Sequence, residues 1–151
     1  DAINVIPDSI EFAGTMRAFS DHARDQFEPA VKRIVEGIST AHGISAECRY
    51  TRNCPPLINS DEETRLAARA AANIVGKDNV NASGPRIMGS EDFSYMLRKR
   101  PGNYIMLGNG EGEQGGCMVH NPRYDFNDAI APTGASFLAR LVERALPIDN
   151  A

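Results

Sequence analysis

Two adjacent prolines, Pro55 and Pro56, constrain this chain more than any other feature. Neither offers a backbone N–H and each fixes φ, so neither a central strand nor a helix interior can run through "CPPLINS". The hydrophobic patterning also differs on the two sides of this break. A domain boundary is therefore expected between residues 53 and 54.

Upstream, Ile10, Phe12, Met16 and Ala18 alternate with Glu11, Thr15 and Arg17, the pattern of a half-buried strand. Gly14 leaves room there for a bulge. Ser20 is a good N-cap for the helix that follows. In that helix Phe27, Val31, Ile34, Val35 and Ile38 recur as one apolar stripe, and Gly43 supplies a stop. Pro29 is awkward there, since it deletes a helix hydrogen bond and should kink or delay the helix. "ISAECRYTRN" reads as a second strand. Residues 1–53 are thus expected to form strand, helix, strand, with the helix laid on one face of a small antiparallel sheet.

Downstream, Ser60 and Glu63 match a capping box that opens a helix over residues 61–75. Its buried face would be Leu66, Ala67, Ala70, Ala71, Ile74 and Val75, and Gly76 ends it. A short strand is expected near Ile87, a tight turn at Gly89, and a helix capped by Ser90 with Glu91 and Asp92 in its first turn. "NYIMLG" reads as a strand buried on both faces. A glycine-rich polar loop, "NGEGEQGG", then delivers "CMVHNPRYDFND". A last helix begins at Pro132, a favoured first-turn residue, and buries Phe137, Leu138, Leu141 and Val142. Alternating helices and strands over residues 54–151 predict an α/β layered domain.

Composition narrows the function classes. Hydrophobic residues are 42% and charged residues 24% of the 151, with a net charge of −4. That is ordinary for a soluble protein, and no Lys/Arg stripe offers a nucleic-acid surface. No apolar run is long enough to cross a bilayer, and the opening "DAINVIPDS" lacks the pattern of a signal peptide. Three cysteines, Cys48, Cys54 and Cys117, without a CxxC pair favour a reducing, cytoplasmic compartment and structural thiols.

Chemistry concentrates in "MVHNPRYDFND". His120 follows a buried run and a loop, the edge where α/β sheets usually bind ligands. Neutral imidazole is a good zinc ligand, and Asp125 or Asp128 is placed to orient it. Taken alone, though, a loop histidine is accounted for by a simple hydrogen bond, and one histidine cannot hold a metal. Cys117 forms only a weak C-x-x-H pair with it. Glu91 and Asp92 are explained by the positive end of a helix dipole, worth roughly 0.3–1 kcal/mol each. Arg17 has the shape to grip a carboxylate, although a solvated strand arginine is commoner. His22 and His42 suit helix ends.

The order of motifs says more. "NVIP", "GTMR", "PPLIN", "MGSEDFSYML", "PGNYIMLGNG" and "VHNPRYDFND" occur in succession over nearly the whole chain. This series resembles the metal-dependent amidohydrolases that include hippurate hydrolases, N-acyl-amino-acid hydrolases and auxin-conjugate hydrolases, relatives of the aminoacylase and carboxypeptidase group. "GSEDF" followed about thirty residues later by "HNP" is its most specific part.

The resemblance implies a zinc-peptidase-like α/β catalytic domain with two divalent metal ions, zinc or manganese, and a small α+β lid that dimerises. Residues 1–53 would be the later part of the lid and residues 54–151 the C-terminal part of the catalytic domain. His120 matches the last metal ligand, in an L-H-x-P motif written here Val119–His120–Asn121–Pro122. Asn4 and Arg17 match lid residues that bind the carboxylate of an N-acyl amino acid. Gly89, Glu91 and Asp92 match a turn that supports the metal site without ligating.

The family would hydrolyse its amide with a metal-activated water and a glutamate base. Its upstream histidine–cysteine segment and catalytic Glu-Glu pair have no counterpart here. Glu62-Glu63 is the only such pair, and the capping box accounts for it. The expectation is a C-terminal part, trimmed upstream, inactive alone and binding no metal alone. The alternative is a non-catalytic dimerisation or binding module derived from that family.

Overall fold

Short-range capping chemistry fixes both ends of the first helix. The structure, a computed structural model, describes residues 3–113 and 115–147. Gln114 in the glycine-rich loop and the extreme ends of both expected domains therefore lie outside the described residues. Helix α1 spans Asp21–His42. The Ser20 hydroxyl accepts from the Ala23 amide at 3.2 Å, and Gly43 takes a left-handed φ of 67°, as the cap residues predict. Pro29 sits inside α1, so it does not delay the helix start.

Helix α2 spans Asp61–Val75, α3 spans Phe93–Leu97 and α4 spans Ala131–Ala145 with Pro132 in its first turn. Short 3₁₀ turns occupy Lys77–Asn79 and Asp128–Ile130. Two compact units result: Asp1–Pro56 with Met88–Ser90, and Leu57–Ile87 with Glu91–Ala151.

In the second unit α2 packs on α4. Ala67 and Ala70 are buried, and their small side chains admit the Phe137 ring, with Ala71 and Leu141 packed beside it. Burying one aromatic ring stabilises by roughly 1.5–3 kcal/mol. The expected α2 face is largely the observed one. On α4, however, Leu138 and Val142 remain exposed, because α2 covers only the Phe137 side.

In the first unit the expected stripe of α1 is only partly covered. Phe27, Val31 and Val35 are half-buried, while Ile34 and Ile38 are exposed. Charge rather than pairing ties α1 to residues 52–53. Arg52 bonds Asp25 at 2.6 Å and Glu28 at 2.9 Å, and the Arg24 guanidinium donates to the Asn53 carbonyl. Hydrogen bonds from Lys32 and then Arg52 hold the Glu28 carboxyl below its usual range.

The expected α/β layering is not seen among the described residues, none of which lies in a β-strand. The segments read as strands, over residues 10–18, 44–53 and 103–108 and near Ile87, carry the right side-chain pattern but no ladder. A strand is secured only when a neighbour takes its N–H and C=O groups and covers its apolar face. Here that cover is missing: Phe12 is 86% exposed and Met106 73%.

Two capping expectations also change. The capping box at Ser60 does not form, because the Ser60 hydroxyl accepts from the Gly102 amide at 3.2 Å instead. Ser90 does not cap α3, which starts later, at Phe93.

Candidate functional site

The His120 loop is built from tight turns. The Asn121 amide donates to the Met118 carbonyl at 3.2 Å, which places His120 at the third position of a turn with φ 69°. That position favours glycine or asparagine. Among the described residues His120 is the only non-glycine with positive φ. Next, the Asn121 side chain accepts from the Arg123 amide at 2.9 Å and its carbonyl accepts from the Tyr124 amide at 2.9 Å. The imidazole is exposed.

One side chain gathers the ends of this loop. The Asn109 amide group donates to the Gly115 carbonyl at 3.2 Å and to the Asp125 carbonyl at 3.1 Å. Its oxygen accepts from the Asn127 amide at 3.0 Å. Asn127 in turn caps the 3₁₀ turn ahead of α4 by accepting from the Ala129 amide at 3.1 Å. Gly115 has φ 81°, and a Cβ there would collide with the Asn109 backbone.

A second constellation surrounds Glu91. Its carboxylate accepts from the Phe93 amide at 3.3 Å and from the Tyr104 hydroxyl at 3.0 Å. These bonds, the Phe93 amide first, hold Glu91 below the usual carboxylate range. The same contact, followed by burial, raises Tyr104 above the usual phenol range. The Tyr104 ring also lies against Phe93 with centroids 5.8 Å apart. Asn59 grips the Tyr104 backbone from both sides, donating to its carbonyl at 2.9 Å and accepting from its amide at 2.8 Å. Glu91 therefore joins the first amide of α3 to the Tyr104 hydroxyl.

The predicted site residues divide between the units. Asn4 and Arg17 belong to the first and are exposed, with Arg17 donating to the Thr15 hydroxyl at 2.8 Å. Gly89 belongs there too, while Glu91, Asp92 and His120 belong to the second. Neither Asp125 nor Asp128 hydrogen-bonds His120 among the described residues; the Asp125 carbonyl serves Asn109 instead. Cys48, Cys54 and Cys117 are free, half-buried thiols.

Sequence reasoning missed Asn59, Tyr104 and Asn109. The signal for Asn109 was its place between Gly108 and Gly110, where asparagine often bonds the backbone of a turn.

Zinc takes four ligands, three of them from protein even at an open catalytic site. Among the described residues no group of three His, Cys, Asp or Glu side chains is arranged to hold a metal ion. His120 can offer one bond, so the residues present do not by themselves fit a metal centre.

A Glu–Tyr clasp, an Asn-anchored glycine loop and an exposed loop histidine thus follow one another along the chain. The chain belongs to the peptidase family M20/M25/M40, whose model matches residues 7–144. Among curated proteins it is 31% identical to "IAA-amino acid hydrolase ILR1-like 2" of Arabidopsis thaliana, over 97% of this chain and 34% of that protein. It is 34% identical to the "Putative amidohydrolase YhaA" of Bacillus subtilis, over 90% of this chain and 34% of that protein. It is 28% identical to the "Hippurate hydrolase" of Campylobacter jejuni, over 96% and 37% respectively. The chain thus spans about a third of the length of these relatives. No solved structure matches it.

Proposed function

We propose that this chain is the C-terminal part of a metal-dependent amidohydrolase that cleaves the amide of N-acyl amino acids, and that it is inactive by itself. What carries the reading is His120: a histidine in a left-handed conformation, exposed, in a motif series shared with amide hydrolases. A position needing only a turn would take glycine, so an imidazole there implies use of the ring. In this reading His120 supplies one ligand to a zinc or manganese ion whose other ligands lie elsewhere in the whole protein.

Asn4 and Arg17 are assigned the substrate carboxylate by their place in the motif series, and Gly89, Glu91 and Asp92 support the site. Arginine suits the first role because its guanidinium fork matches a carboxylate. The names of the relatives favour an acyl amino acid as substrate. A cytoplasmic location and a homodimer formed through residues 1–53 belong to the same proposal.

The test is titration of this chain with zinc or manganese, followed by a hippurate cleavage assay with and without the upstream two-thirds of a hippurate hydrolase. The expected result is no stoichiometric micromolar binding, no turnover alone, and turnover in the mixture that disappears with His120→Ala. Tight metal binding by the chain alone would overturn the reading.

A second reading, a non-catalytic dimerisation module, draws on the exposed Ile34 and Ile38 of α1. Sedimentation distinguishes it: a stable dimer with no rescued turnover in the mixture favours the module.

A further inference from the structure

We propose that Asn109 is a positioning residue for His120, and that its side-chain amide alone closes the loop presenting the imidazole. The inference rests on the metal-ligand reading of His120.

Residues 115 and 125 bracket His120 at nearly equal distance along the chain. Both donor hydrogens of the Asn109 amide are committed to their carbonyls, at 3.2 and 3.1 Å. Its single acceptor is committed to the Asn127 amide at 3.0 Å. The loop thus starts and ends on one planar group, the arrangement that makes a short surface loop rigid although few of its side chains are buried. The loop exposes Met118 and Val119, while Gly115 at its start is buried against Asn109.

Asn109 is itself anchored. Leu107, two residues earlier, lies beside α4, close enough that a Cβ on Gly134 would come within 3.3 Å of Leu107 Cδ2. Asn127 leads directly into the turn that opens α4. The position of the imidazole is therefore referred to the α2–α4 core through two asparagines. An aspartate at position 109 would keep the acceptor for Asn127 but present oxygen to two carbonyls. A glutamine would carry the same groups one methylene too far.

The test is NMR on the full chain. Amide exchange and backbone order are compared for the native chain, Asn109→Ala and Asn109→Asp. In Asn109→Ala, exchange over residues 116–124 is expected to rise about tenfold, with His120 leaving its left-handed conformation and α2 and α4 unchanged. Asn109→Asp is expected to keep the Asn127 amide resonance while the loop still loosens. Unchanged exchange and an unchanged His120 conformation in Asn109→Ala would overturn the proposal.

If Asn109→Ala unfolds the second unit, Asn109→Asp decides: a loop as ordered as in the native chain overturns the proposal, and loosening confined to residues 116–124 supports it. Turnover in the mixture with the upstream hydrolase segment that survives His120→Ala would instead remove the ligand reading. The loop order measured by NMR still tests what Asn109 does.

Discussion

At the scale of single residues, His120 carries a backbone cost. Holding a non-glycine residue at φ 69° costs about 1 kcal/mol, although histidine tolerates the region better than branched side chains do. His120→Gly is therefore expected to raise stability by about 1 kcal/mol in urea unfolding followed by circular dichroism, and to remove any contribution to metal binding. His120→Ala keeps the backbone cost and gives no gain. If glycine destabilises instead, the ring is a packing element and the ligand reading loses its main support. The Glu91–Tyr104 clasp gives a pH dependence. Glu91 lies below its ordinary 4.5 when folded, so its contribution is complete above that value and is lost as pH falls through the lowered one. Tyr104 lies above its ordinary 10.0, so its contribution holds below that value and is lost as pH rises through the raised one. Tyr104→Phe is expected to lower stability at neutral pH and to flatten both limbs of the stability curve; unchanged limbs would mean the hydrogen bond does not form. His120 was legible as a candidate because its motif can be read locally. Asn109 was not, because its role consists of partners at residues 115, 125 and 127.

At the scale of elements, what could be read was what is decided within one turn of chain. Ser20, Gly43, Gly76 and Pro132 mark helix ends because caps involve neighbours. The capping box at Ser60 failed for the opposite reason: an amide 42 residues away takes the hydroxyl. The strand patterns failed likewise, since a ladder needs a partner that periodicity cannot name. The α2–α4 pair stands because Ala67 and Ala70 make room for Phe137. Among the described residues that ring is the only large side chain in the buried cluster, so Phe137→Ala is expected to cost about 3 kcal/mol, near the low end for a phenylalanine whose site is partly open. Loss of α2 and α4 helicity with α1 retained, read by residue-resolved amide exchange, would locate the damage. Equal loss in α1 would show that the two units unfold together.

At the scale of the whole molecule, the exposed surface is large for the chain's mass. The chain exposes 12852 Å², whereas a folded 16.4 kDa monomer exposes roughly 7500 Å². Treating the two units as separate folded bodies raises that figure only to about 9000 Å². The difference is roughly 3800 Å². Ile10, Phe12, Ile105, Met106 and Leu107 contribute to it, and they lie in segments patterned as strands. The chain belongs to the M20/M25/M40 family and spans about a third of the length of its relatives; in the proposed reading these strand-patterned segments pair with other polypeptide. An unfolded chain of this mass exposes about 23,800 Å², so folding buries about 46% of it, where a chain of this length ordinarily buries about 68–70%. Because the denaturant slope follows the area exposed on unfolding, the urea m-value is expected to be about two-thirds of that of an ordinary monomer of equal length. The same chain should bind a hydrophobic dye and lose that binding when an upstream hydrolase segment is added. A full-sized m-value without dye binding would mean that the chain buries its own strand-patterned segments and needs no other polypeptide to do so.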